Sequence, residues 1–205
     1  MKISSRSLAL VAVLAAAVSL RAQEPIPAEE AQRIAHKLND IVGNPSDAPF
    51  TADVDPDKPN GFKVGGAGLM VLPDRKLTAD ALEHAGKDAI AVGQLCALDA
   101  TVATNGRPVA SDKLRLVKVG DGEKSRDVQL YFLGAAKNDS GELHLVIFAK
   151  DKAQPVLRVP LKKSASVSQS SPIELDGRKQ DDNTGILTLR ILGEYTAEVP
   201  LMKAE

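Results

Sequence analysis

From Ile90 onward the chain is a succession of short apolar segments separated by turn-forming residues. Few of the intervening stretches are long enough to hold the crossover helix of a parallel sheet. Strand-type runs cover 90–98, 114–119, 128–133, 143–148, 155–161, 173–175, 187–192 and 195–201. An earlier apolar stretch, 62–72, is broken by Gly65-Gly66 and is expected to be one strand with a bulge there. This spacing predicts a mostly β chain, a β-sandwich or partly open barrel of about eight or nine short strands.

Inside the β region lies an internal echo. Asn138-Asp139-Ser140-Gly141 is answered 44 residues later by Asp182-Asn183-Thr184-Gly185. Leu143, Leu145 and Ile147 follow the first turn, and Leu187, Leu189 and Ile191 the second. Each copy closes on the same tripeptide, Val159-Pro160-Leu161 and Val199-Pro200-Leu201. The pattern predicts two related hairpins, 138–161 and 182–201, one for each half of a sandwich. Alternation places Leu145 and Leu189 on the core face, with His144, Thr188 and Arg190 on the other. Pro160 and Pro200 have no N–H to donate to a ladder, so both second strands are expected at a sheet edge or a bulge. Two copies fall short of a solenoid, which needs at least about three.

Two helices are expected. Over 27–42, Ala31, Ile34, Ala35, Leu38, Ile41 and Val42 make one apolar stripe at the helical period. Pro27 suits the first turn, Glu29 and Glu30 favour the positive end of the dipole, and Gly43 ends the run. Thr78 is the expected cap of a short second helix ending near Gly86. Residues 44–61 are rich in Pro, Asp and Asn and predict a linker or long loop. The expected organisation is therefore a signal peptide over 1–22, an N-terminal helix with an acidic, Pro-rich linker over 23–61, and a β-rich domain over 62–205.

Lys2 and Arg6 precede an apolar run of 13 residues, 8–20, and small residues follow. That is the pattern of a secretory signal peptide, since a membrane span needs roughly 20 apolar residues. Cleavage is expected after Ala22, with a cut after Ser19 as the rival; the address is secreted or periplasmic. Removing Lys2, Arg6 and Arg21 from 26 basic residues leaves 23 against 27 acidic, a net charge of −4. With no basic block, nucleic acid is not an expected partner. One cysteine, Cys96, rules out an internal disulfide. The chain has no Trp, two Tyr and four Phe, which weakens readings that depend on aromatic stacking against sugars or on aromatic hot spots.

The residues that carry chemistry do not assemble into a linear motif. Asp53, Asp55 and Asp57 alternate as cation-binding carboxylates do, but positions six and twelve of a calcium loop would be Lys58 and Val64 instead of Gly and Glu. A solvated acidic loop is the expectation. His36, His84 and His144 fall in different elements without metal-ligand spacing and are expected at the surface. Cys96 is expected buried and inert in an apolar strand. Ser164, Ser166, Ser168, Ser170 and Ser171 lie outside any nucleophile motif and suggest a flexible loop. Gly65-Gly66-Ala67-Gly68 lacks the features of a phosphate loop, so close backbone packing is expected there. No catalytic, cofactor-binding or metal residues are assigned, and no cofactor. The function expected is an exported, non-catalytic binding or structural module of the cell envelope, its partner an unidentified envelope protein or polymer. The rivals are a hydrolase or metal-dependent enzyme assembled only in space, and a calcium-stabilised adhesion module built on 53–57.

Overall fold

The computed structural model describes residues 23–43, 45–120, 122 and 125–204; the expected signal peptide, 1–22, lies outside the described residues. In chain order the elements are β1 (Glu24–Pro25), α1 (Ala28–Val42), β2 (Asn60–Val64), β3 (Ala67–Pro73), α2 (Ala79–Glu83), β4 (Ile90–Leu98), β5 (Ala100–Thr104) and β6 (Arg107–Pro108). A single 3₁₀ turn precedes β7 (Arg115–Val119), followed by β8 (Arg126–Lys137), β9 (Leu143–Phe148), β10 (Leu157–Pro160) and β11 (Lys162–Lys163). The chain closes with β12 (Ile173–Lys179), β13 (Thr184–Ile191) and β14 (Tyr195–Lys203). They form two antiparallel sheets, the mostly β sandwich that the sequence predicts. The first runs β1-β2-β3-β4-β8-β9-β10, with β7 also on β8; the second runs β12-β13-β14-β5-β6, with β11 on β14.

The two sheets differ in what their strands must bury. Along β13, Leu187, Leu189 and Ile191 are buried while Thr188 and Arg190 are partly exposed, so the second sheet has one wet face. The first sheet is covered on both faces. Leu69, Val71, Tyr131, Leu133, Leu145 and Ile147 point into the core between the sheets. Their neighbours Met70, Leu72, Leu130, Phe132, Val146 and Phe148 join a second core on the outer face. There α1 lays Ala31, Ala35 and Leu38 on the sheet, two of them small enough to bring the helix axis close. Pro27 stands one position outside the helix, and Gly43, at φ +53°, closes it by donating to Asn39 O at 2.8 Å. Thr78 caps α2, accepting from Ala81 N at 3.1 Å.

A buried hydrogen-bond tie links the sheets. Tyr131 of β8 donates to Gln129 Oε1 at 2.6 Å and accepts from Val102 N of β5 at 3.2 Å, with Thr101 Oγ1 at 3.0 Å. Burial raises the Tyr131 phenol above its ordinary pKa. Where β12 meets β2, side chains replace strand pairing: Leu175 N donates to Asn60 Oδ1 at 2.8 Å and Gly177 N to Gln23 Oε1 at 2.9 Å.

Three local expectations are corrected. Residues 62–72 are a hairpin, β2 and β3, in place of one bulged strand; Gly65 at φ +64° supplies the left-handed position that a two-residue turn needs. Of the expected 44–61 linker, the described residues 45–61 are packed and not a bare linker: Ala52 and Val54 are buried, and Val54 bridges to Asp74. The prolines divide. Pro160 lies on β10, the edge of the first sheet, as expected. Pro200 lies in β14, an internal strand between β13 and β5. It is tolerated because β11 pairs only with Tyr195 and Thr196, and β5 only from Leu201 onward, so that flank asks no N–H of residue 200. The two echoed hairpins do fall in different sheets, but their registers differ: Val159 pairs with Leu145, whereas Val199 pairs with Leu187. The slip is two residues, so the buried face is kept.

Among the described residues, no helix is long and apolar enough to cross a membrane.

Candidate functional site

Because α1 is narrower than the sheet it covers, its flank leaves a groove of about 850 Å³ over β2, β3, β4, β8 and β7. The helix side is Ile34 and Leu38, with Ile26 from the segment entering it. The floor is Met70, Cys96 and Leu98, and Val119 and Val128 close the far end. Among the described lining residues the charged groups are Glu24, Lys63 and Arg126, at the rim. A volume in the usual range for ligand sites, a mostly apolar lining and a few polar groups at the mouth are the features of a small-molecule site.

The Gly65-Gly66-Ala67-Gly68 stretch forms one wall of this groove, which overturns the expectation of close backbone packing. A Cβ on Gly66 would meet nothing within 4 Å, and one on Gly68 only Leu98 Cβ at 3.9 Å. These glycines leave space instead of filling it.

Cys96 contributes bulk to the floor and no reactivity. Burial pushes its thiol up to about 12, so it stays protonated at neutral pH. The histidines stand apart, as the sequence predicts. His36 on α1 contacts Asp57 Oδ1 at 2.9 Å, His84 caps α2 and contacts Asp80 O at 2.9 Å, and His144 on β9 contacts Glu142 O at 3.0 Å.

The acidic loop is not simply solvated. Asp55 is 7% exposed; its Oδ1 accepts from Asp57 N at 3.2 Å and faces Arg75 Nη1 at 3.2 Å. Asp53 faces Arg75 Nε at 3.6 Å, and Asp57 turns to His36. The buried Asp74 accepts from Asp53 N and Lys76 N, both at 2.8 Å. Two of the three carboxylates of 53–57 thus share the Arg75 guanidinium, and the third turns away to His36. Gln32 Nε2 donates to Asp57 O at 2.8 Å, so the loop holds α1 in place. Among the described residues, no three His, Cys, Asp or Glu side chains are grouped to hold a metal ion. The serine segment has no regular structure, yet Ser171 is buried and its Oγ donates to Lys58 O at 2.8 Å.

The groove was not read from the sequence, although its signals were present. The runs over β3, β8 and β9 are apolar at successive positions and not only at alternate ones, the mark of strands buried on both faces. A helix of 15 residues cannot cover such a face completely. No family model, curated protein or solved structure matches the chain.

Proposed function

We propose that the protein is an exported, non-catalytic binding module of the cell envelope that takes an apolar ligand in the groove beside α1. One observation carries the binding half: an open apolar trough whose floor is rigid β-sheet and whose wall is made of glycines. Support for a non-catalytic role comes from the same place, since among the described lining residues the Cys96 thiol is held protonated by burial and Lys63 is engaged by Glu30. The export half rests on 1–22; sequencing of the processed protein is expected to begin at Gln23 or, failing that, Leu20, and a soluble product that keeps Met1 would contradict export.

A neutral environment-sensitive dye, N-phenylnaphthylamine, tests the groove. The purified protein should bind it saturably with a rise in fluorescence. Gly68→Phe should abolish that signal, because the ring enters space that the glycine leaves open, while the circular dichroism spectrum stays unchanged. Unaltered dye binding by a folded Gly68→Phe protein would overturn the assignment.

A further inference from the structure

We infer that the groove's ligand is a single-chain anionic amphiphile, its tail lying across the strands and its carboxylate head at Arg126; the inference rests on the binding reading above and deepens it. The lie of the tail follows from register. On the outer face Lys63 stands opposite Gly68, and Gly68 opposite Leu98, one row beyond the Met70–Cys96 row that α1 buries. Gly68, Leu98, Val128 and Val119 stay partly exposed. From β2 to β8 is three strand-to-strand steps, about 14 Å at the usual spacing. This is an apolar track across the strands, long enough for an extended alkyl chain.

Charge sets the direction of the head. At the β2 end Glu24 lies opposite Lys63 in the ladder, and Lys63 Nζ is 2.8 Å from Glu30 Oε1. The Lys63 ammonium holds the Glu30 carboxyl below its ordinary range, so the cation is engaged, and a second acidic residue, Glu24, is its ladder neighbour. An anionic head is disfavoured there. At the β8 end Arg126 contacts Asp99 Oδ2 through Nη2 alone, at 2.5 Å. A guanidinium carries five N–H donors in a planar fork, and among the described residues the others of Arg126 have no partner. The fork matches a carboxylate and already lines the groove.

Displacement of N-phenylnaphthylamine by decanoate, decanol and decylamine, all below their aggregation concentrations, tests this. Decanoate should displace the dye at about threefold to tenfold lower concentration than decanol, the range for a partly exposed charged hydrogen bond. Arg126→Gln should erase that advantage and leave decanol unchanged. Asp99→Asn should enlarge it, because it frees the guanidinium while Asn tolerates the φ of +54° at that position. If decanol and decanoate compete equally and Arg126→Gln changes neither, the anionic head is wrong and the groove reading stands. If decylamine competes best, the site selects cations through Glu24 and Glu30 and the inference is overturned. If the dye itself does not bind, the binding reading has failed first.

Discussion

Leu145→Ala and Leu189→Ala should each lower the unfolding free energy by about 2–5 kcal/mol in urea melts, the cost of a large-to-small change in a packed core. Both leucines are fully buried in the core between the sheets. They come from opposite sheets, Leu145 on β9 and Leu189 on β13. Each variant leaves a void that sheet backbones cannot collapse to fill. The neighbouring changes His144→Ala and Thr188→Ala should cost less than about 1 kcal/mol, since these side chains alternate to the outer face. The contrast is what the register demands, because a slip of one residue would exchange the two faces. A loss at His144→Ala equal to that at Leu145→Ala would show that the face assignment of β9 is wrong.

Gly93→Ala should be of comparable severity, about 3 kcal/mol or more, through a steric clash instead of a void. Gly93 lies in β4, paired with Pro73 on one side and Leu133 on the other. A Cβ there would stand 2.3 Å from Leu72 O and 3.1 Å from Pro73 Cα, both backbone atoms. Neither can move without breaking the β3–β4 ladder in the middle of the first sheet. Gly68→Ala is the matched control in the same sheet. Its Cβ meets only Leu98 Cβ at 3.9 Å, so it should stabilise by about 0.5–1 kcal/mol through reduced backbone freedom in the unfolded chain. Thermal melts of the two alanine variants should therefore move in opposite directions. A Gly93→Ala protein that melts like the parent would mean that β3 and β4 do not approach as described.

The sheet elements were legible where one physical signal dominated. Apolar runs bounded by turn residues located β4 and β9 to the residue, and the stripe with its flanking Pro27 and Gly43 located α1 to within one position. Strands failed to register where polarity or brevity hid them. The β5–β6 hairpin turns at Asn105-Gly106, both at positive φ, and that dipeptide is a strong hairpin signal. Ala100, Thr101 and Thr104 dilute the apolar run around it and hide the strand. The fate of Pro200 was not legible either, since whether a strand flank is paired depends on where β11 and β5 stop, which is a tertiary fact. The groove belongs to the same class. Its residues come from α1, β1, β2, β3, β4, β7 and β8, and only the docking of α1 defines its edge. What the sequence did carry was the continuous apolar character of the first sheet, which implies a cover on both faces.

The groove assignment is tested most directly by mapping amide chemical shifts as N-phenylnaphthylamine is added to the protein. Saturable shifts should gather at 63–70, 96–98, 119 and 126–128 in the sheet and at Ile34 and Leu38 on α1. Shifts gathered instead around the smaller hollow formed by Thr104, Val109, Lys113 and Val156, or the absence of saturable shifts anywhere, would contradict the account.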